Sequence, residues 1–502
     1  GLSGRALRAG SPGGLSGRAL RAWGYIGRQV RASASGLEPH PVATVSLSSA
    51  CRSGYPRGPA VCCRLVPPAA DMSRASPTES SPTVVTQLRR LSLGLIFRLV
   101  VGVLMAVAWA DRTFRRRLAF PRDQRDLLER QSWAIERLRA SGALGDDAEV
   151  TSFVATRFKE GEGFRSQVSR VLVGWRDDNG DHELRLLAKF APRAQNLRDH
   201  AIYIIQENHT KEVGFYQHLA ADPAVAAPTC YAAELHRGTG NLCVLLDLVD
   251  ATEIRESDGC PAELAPMAVE ALARQHARYW GTTDGVHADG PAAFLPPLPD
   301  AIIDYFGTLF EGPDADLFGD LLRVVWRRDG QAPTTVLHGD ARVGNMLFPR
   351  GEDGRFLLID WQATRTGKGA FDLAYFLTLS VEPEVRQAHQ VALIDRYHAG
   401  LVAGGVADYS RDALDDDYRF ATLLVLAFAT LPFMSAESSA TAANAAGLAE
   451  LGYAWARRMI AAVDELDHEW LSVHTGLDAA ALRAAFGRSN AGARLGMALE
   501  PK

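Results

Sequence analysis

Residues Val336–Leu377 read VLHGDARVGNMLFPRGEDGRFLLIDWQATRTGKGAFDLAYFL, and the polar spacing within this stretch decides the fold. His338, Gly339 and Asp340 are followed five residues later by Asn345, and Asp360 lies twenty residues beyond Asp340. Two short apolar runs, Met346–Phe348 and Phe356–Ile359, flank the turn sequence PRGEDG, so the chain doubles back as a hairpin. That return carries Asp360 towards Asn345 and Asp340 and gathers three oxygen-bearing side chains in one cleft. Phosphoryl transfer needs such a set: a carboxylate to orient or deprotonate an attacking hydroxyl, and two hard oxygen ligands for Mg²⁺ bridging the phosphates. Singly, each residue reads as a turn or capping residue; the joint spacing carries the inference.

The spacing H-x-D-x-x-x-x-N followed by a metal-binding Asp is that of the kinase catalytic loop. HGDxxxxN, then Asp360-Trp361-Gln362, then FDLAYFL resembles the aminoglycoside phosphotransferase/choline kinase superfamily, most of all its ecdysteroid-kinase-like (CHK kinase-like) branch. That branch typically shows Asp-Phe-Gln or a similar triplet where this chain has Asp-Trp-Gln. The resemblance covers roughly Val150–Ala480 and implies an α+β, protein-kinase-like fold. A small antiparallel β N-lobe and a larger helical C-lobe would bind ATP and Mg²⁺ between them. By the same likeness Asp340 is the catalytic base, Asn345 and Asp360 are metal ligands, and Asp372 supports the catalytic loop. His338 then packs or orients that loop instead of transferring protons.

Upstream, Lys189 ends the apolar run LRLLAKF, where its ammonium could meet the α- and β-phosphates, as the β3 lysine of kinases does. Taken alone, a lysine at a strand end is a solvated side chain. In KEVGFYQHL, Glu212 has Phe215, Tyr216 and Leu219 at i+3, i+4 and i+7, which puts it at the edge of a helix's buried stripe. This placement permits a Glu212–Lys189 ion pair. Gly161, Gly163 and Ser166, in GEGFRS, resemble a nucleotide-covering loop whose backbone approaches phosphates, although an ordinary loop has the same composition. Asp247-Leu248, after NLCVLL, falls where an inter-lobe hinge would contact adenine through its backbone.

Periodicity predicts a helix over 123–142, strands over 166–175 and 183–190 around the turn Asp177–Gly180, a helix over 208–221, and strands over 229–236 and 242–248. Helices are then expected over 262–280, 301–310, 314–328, 385–404, 412–429, 440–462 and 479–486. A β-rich half followed by a helical half leaves a cleft between them.

The 502 residues carry a net charge of −5, which argues against a nucleic-acid partner, and six cysteines without a C-x-x-C pair argue against a disulfide scaffold or a zinc site. Walker A, HExxH, G-x-S-x-G and dinucleotide-binding signatures are absent from the sequence. Residues 1–71, rich in Gly, Ser, Arg, Ala and Pro, repeat GLSGRALRA twice and read as a disordered or non-native extension ahead of Met72. Within 72–122, the run 91–110 has twenty residues and one charge, Arg98, with more arginines after it than before. It reads either as an anchor holding the rest at the cytoplasmic face of a membrane or as a helix packed on the domain. Ala108-Trp109-Ala110 also resembles a signal-peptidase site, but export conflicts with ATP chemistry. An N-lobe over 123–250, a C-lobe over 251–490 and a tail over 491–502 complete the division.

The expected function is transfer of the ATP γ-phosphate to a small hydroxyl acceptor, hydrophobic or cationic, in the cytoplasm. A non-catalytic kinase-like module at a membrane surface is the rival, and metal-dependent hydrolysis a third reading. Asp415–Asp417 could draw a cationic acceptor or simply lie on a solvated helix start. Tyr375, Phe376, Tyr418, Phe420, Phe428 and Phe433 could line an apolar acceptor wall or fill the core.

Overall fold

A β-hairpin with a tight turn seeds the first lobe of the computed structural model. Strands β2 (Gln167–Asp177) and β3 (Gly180–Phe190) pair antiparallel with Asp177 opposite Gly180, so only Asp178 and Asn179 bridge them. The Asn179 N–H donates to the Asp177 carboxylate at 2.7 Å, and Gly180 takes φ +117°, a backbone that L side chains rarely adopt. This turn is shorter than the loop the sequence suggests. The structure describes Gly102 and residues 118–158, 167–191, 208–237, 239–281, 313–331, 333–351, 354–429 and 442–489. All fall within one unit, Ser92–Lys502.

The sheet is antiparallel in the order β1-β2-β3-β5-β4, with β1 (Glu149–Arg157), β4 (Cys230–His236) and β5 (Asn241–Asp247) completing it. Alternation assigns its two faces. Leu186, Ala188, Phe190, Val171, Val173, Cys243 and Leu245 cluster with Leu127, Trp133 and Leu138 from the two N-terminal helices. Leu187, Leu242, Val244 and Leu246 belong instead to the core shared with the helical lobe. Lys189 shares its face with Leu187 and therefore looks towards the cleft. β1 escapes the periodicity reading because only Ala155 of its nine residues is buried, as suits a strand at the sheet edge.

The helix expected over 123–142 is two helices, α1 (Gln124–Glu129) and α2 (Gln131–Ala140). Asp123 caps the first by accepting from the Asp126 N–H at 2.9 Å. Arg130 breaks the run: its side chain turns back to the carbonyls of Leu118 and Phe120 and to the Asp126 carboxylate.

Helix α3 (Asn208–His218) packs on the inner face of the sheet. Past β5, the chain enters the second lobe through β6 (Ala251–Glu253), which pairs with β8 (Met346–Pro349), itself paired with β9 (Leu357–Leu358). A further ribbon joins β7 (Thr335–Leu337) to β10 (Arg365–Gly367). Around these lie α4 (Ala265–Arg278), α5 (Pro313–Asp329), α6 (Ala370–Ser380), α7 (Pro383–Ala403), α8 (Arg411–Phe428), α9 (Ala442–Asp464), α10 (His468–Thr475) and α11 (Ala479–Ser489).

Helix α6 contains the FDLAYFL motif and is buried along its whole length, which explains a sequence apolar on every side. Helix α10, absent from the periodicity reading, is fixed by local signals: Asp467 accepts from the Glu469 and Trp470 N–H groups, and Gly476 closes it at φ +74°. The helix expected over 301–310 lies outside the described residues, as does the run 91–110 apart from Gly102. Among the described residues no helix is long and apolar enough to cross a membrane.

Candidate active site

The hairpin return expected from the sequence takes place. Met346 pairs with Leu358, and the Ile359 N–H donates to the Asn345 carbonyl at 2.9 Å, which delivers Asp360 beside the Asp340–Asn345 loop. Asn345 ends a single 3₁₀ turn, Val343–Asn345, and its side-chain amide donates to the carbonyl and to Oδ2 of Asp340, each at 2.9 Å. Asp340 and Asn345 thus form one hydrogen-bonded unit.

Across the cleft, Lys189 Nζ lies 2.6 Å from Glu212 Oε1 and 2.7 Å from Asp360 Oδ1. One ammonium therefore ties β3, α3 and the segment after β9 together. Its side chain is 10% exposed and that of Glu212 1%, so desolvation magnifies the attraction. Burial alone would lower the Lys189 pKa, but Asp360 and Glu212 outweigh it and hold the ammonium charged. Burial pushes the Glu212 pKa up, with Lys189 opposing, whereas Asp360 is held below its usual range because Lys189 and Arg342 outweigh its burial. Glu212 Oε2 is buried without a partner among the described residues.

Aromatic stacking holds this bridge in register. Trp361 stacks on Phe215 with ring centroids 3.8 Å apart and planes 7° from parallel, and its indole N–H donates to the Leu358 carbonyl at 3.0 Å. Phe215 lies three residues beyond Glu212 on α3, so the residue after Asp360 docks on the helix that carries Glu212. Asp360 itself sits at φ 67°, the one described non-glycine residue in the left-handed region, at a cost of about 1–3 kcal/mol. The Lys189 bridge, the Trp361 stack and the Gln362 side-chain amide on Oδ2 at 3.1 Å over-determine that conformation.

His338 acts as a strut. Its Nδ1 accepts from the Asp340 N–H at 3.2 Å and its Nε2 faces the Ile359 carbonyl at 3.0 Å, which calls for the neutral tautomer with the proton on Nε2. Gly339, at φ +81°, has no room for a side chain: a Cβ there would lie 2.2 Å from the Ala363 carbonyl oxygen. Asp372, fully buried on α6, accepts from the backbone N–H groups of His338 at 2.6 Å and Gly339 at 2.9 Å. His276 Nε2 lies 3.2 Å from the same carboxylate, and its Nδ1 lies 2.7 Å from the Tyr397 hydroxyl.

Burial raises the Asp372 pKa, but His276 and the Gly339 N–H together bring it below the ordinary carboxylate value. A depressed folded-state pKa gives stability that is complete above the unfolded value, about 3.9, and is lost as pH falls through the folded one. The difference in urea midpoint between the wild type and Asp372→Asn is therefore expected to be full at pH 7 and to shrink below about pH 4. A difference constant from pH 7 to pH 3 would contradict an ionised Asp372.

Asp340 is lifted above the usual range by burial, with Arg342 pulling it down and Asp360 pushing it up. Asp247 closes β5, where the chain leaves the sheet for the second lobe. Its pKa is raised by burial, and its N–H donates to the Thr229 carbonyl at 2.9 Å. Gly161, Gly163 and Ser166 lie outside the described residues, between the ends of β1 and β2. Arg342, Glu256, His276 and Tyr397 are absent from the sequence reading; the one local signal was an arginine two residues past Asp340.

The acidic run has structural partners. Asp415 pairs with Arg411, and Asp416 accepts from the Trp470 indole at 3.1 Å. Asp417 is buried against Arg328 at 3.0 Å, Lys368 at 3.3 Å and the Tyr409 hydroxyl at 2.8 Å, so it does not lie on a solvated face. Tyr375, Phe376, Tyr418 and Phe420 are buried in the core. Phe433 and the Phe428 side chain lie outside the described residues.

A five-stranded lobe, a helical lobe and a lysine bridged to a helix glutamate and to the aspartate after the catalytic-loop hairpin define the α+β, protein-kinase-like two-lobe class. The ecdysteroid kinase-like family matches residues 306–405, the stretch holding His338–Asn345, Asp360 and Asp372, in agreement with the branch that the motif resembles. No curated protein matches the chain. Solved structures similar to it include an ethanolamine kinase from Plasmodium vivax, at 13% identity over 66% of this chain and 89% of that chain, TM-score 0.40. The choline kinase LicA from Streptococcus pneumoniae is 12% identical over 66% of this chain and 99% of that one, TM-score 0.34. An aminoglycoside phosphotransferase from Streptomyces rimosus is 16% identical over 59% and 98%, TM-score 0.30.

Proposed function

We propose that the chain is a small-molecule kinase that moves the γ-phosphoryl group of ATP to a hydroxyl of a small acceptor. The observation that carries this reading is the Lys189 bridge to Glu212 and Asp360, set beside the Asp340–Asn345 unit. The donor set fits Mg²⁺. The Asp360 carboxylate and the Asn345 side-chain carbonyl are hard oxygen ligands, and Mg²⁺ commonly takes one or two protein oxygens and fills its octahedron with phosphates and water. Asp360 and Asn345 would hold the ion, which would supply neutralisation of the charge on the transferred phosphoryl group.

The chain's own residues supply the rest. Asp340 accepts a hydrogen bond from the acceptor hydroxyl and takes its proton as the hydroxyl oxygen bonds to phosphorus. The bond between the γ-phosphorus and the β–γ bridging oxygen breaks, and ADP leaves. Lys189, held by Glu212, offers its ammonium to nucleotide phosphates. Asn345 fixes the Asp340 carboxylate through Oδ2. The acceptor is a small hydroxyl compound, hydrophobic or cationic; Asp415, Asp416 and Asp417 each have a partner within the fold.

Incubation of the full chain with ATP, Mg²⁺ and a metabolite extract should release ADP and yield a new phosphorylated metabolite by mass spectrometry, both lost with EDTA. Equal phosphate release with and without extract would instead indicate hydrolysis. Nucleotide binding without any turnover would indicate a non-catalytic module.

A further inference from the structure

A second pair of charges, Arg342 and Glu256, adjoins the Asp340 carboxylate. Arg342 Nε lies 3.4 Å from each Asp340 oxygen, and its Nη1 lies 3.4 Å from Glu256 Oε2. Glu256 follows β6, in the segment that brings the chain out of the first lobe. Its side chain is 9% exposed, and its Oε2 also accepts the Gly344 N–H at 2.9 Å. Its Oε1 accepts the Ser380 hydroxyl at 3.1 Å and the Trp455 indole at 3.2 Å. The Ser380 hydroxyl in turn accepts the Val343 N–H at 2.8 Å. Glu256 is thus anchored by α6 and α9, and it grips the catalytic loop at Gly344 and Arg342.

We propose that Glu256 and Arg342 are a positioning couple that sets the plane of the Asp340 carboxylate for the acceptor hydroxyl, without touching the nucleotide. The inference rests on the kinase reading above. The carboxylate is held from two directions: the Asn345 amide on Oδ2 and the Arg342 Nε across both oxygens. A planar guanidinium can span two carboxylates at fixed angles, whereas a lysine offers a single point charge on a flexible stem. Glu256, fixed by donors from two helices, supplies the reference that a surface arginine would lack. Mis-aiming a reacting group by about 1 Å is enough to cost roughly a hundredfold in rate.

The test uses the full chain, ADP release from Mg-ATP with choline, 1-octanol and water as acceptors, and calorimetry of Mg-AMP-PNP binding. Arg342→Ala is expected to lower kcat about 10²-fold, while both KM values and the Mg-AMP-PNP Kd stay within about twofold. Arg342→Lys regains at most about tenfold of that loss, and Glu256→Gln alone loses about tenfold. Glu256→Gln combined with Arg342→Ala is no worse than Arg342→Ala alone, because the glutamate acts through the arginine.

Thermal melts identify any variant that does not fold; if Arg342→Ala is one, the more conservative Arg342→Lys and Glu256→Gln carry the test. A folded arginine variant with unchanged kcat overturns the inference. So does a tenfold rise in acceptor KM at unchanged kcat, which would make Arg342 an acceptor-binding residue. Multiplying losses in the double variant would separate Glu256 from Arg342 and also overturn it. A wild-type chain that releases no more ADP than Asp340→Asn, with the metabolite extract added as acceptor source, defeats the kinase reading itself, and is told apart by the wild-type rate alone.

Discussion

Asp340→Asn is expected to lower turnover about 10²–10⁴-fold while leaving the Mg-AMP-PNP Kd within about twofold. The substitution keeps the shape of the side chain and removes the proton acceptor. Asn345 and Arg342 both donate towards the carboxylate, so one amide oxygen can retain part of that network, and His338 holds Asp340 through its backbone N–H, which the substitution leaves in place. Nucleotide contacts run through Lys189, Asn345 and Asp360 in the proposed reading, so binding survives. ADP release and calorimetry on the same preparation separate the two quantities. Equal rates in both proteins would remove Asp340 from the role of base.

Lys189→Met carries the largest expected cost in stability. Lys189 is the charge partner within hydrogen-bonding distance of both Glu212 and Asp360, and its removal leaves the buried Glu212 carboxylate and the partly exposed Asp360 carboxylate without it. Breaking a buried pair by removing one partner typically costs about 3–5 kcal/mol. Urea denaturation at pH 7 should show a loss of about that size, with nucleotide binding abolished. Adding Glu212→Gln should recover part of the stability without recovering binding, because one uncompensated charge disappears while the ammonium stays missing. A loss below about 1 kcal/mol would mean that both carboxylates are well solvated, against the near-complete burial of Glu212.

The sequence announced the chemistry more clearly than the scaffold that aims it. HGD, Asn345 and Asp360 were legible because a short hairpin links them, and hairpins follow from turn composition and two apolar runs. Lys189 and Glu212 could be paired because strand alternation and helical spacing each fix a face. Asp372 was reached through a motif likeness alone; its physical role emerged only when α6 was placed beneath the loop. Arg342 and Glu256 lie 86 residues apart, and His276 and Asp372 lie 96 apart. No local periodicity reports contacts at that separation. The strand Glu149–Arg157 was hidden by its exposure at an edge, and the break at Arg130 by a side chain that satisfies backbone carbonyls in place of the next helical turn. The acidic run at Asp415 misled in another way, since burial of Asp417 depends on Arg328 and Lys368 arriving from distant segments.

The most direct measurement is a crystal structure of the full chain with Mn²⁺ and AMP-PNP, locating the ion by its anomalous scattering. The account predicts the ion within about 2.3 Å of an Asn345 side-chain oxygen and an Asp360 carboxylate oxygen, with Lys189 on a phosphate and Asp340 facing the γ-phosphoryl group. An ion and nucleotide seated elsewhere, with the Lys189–Asp360 contact intact and Asp340 turned from the phosphates, would contradict it.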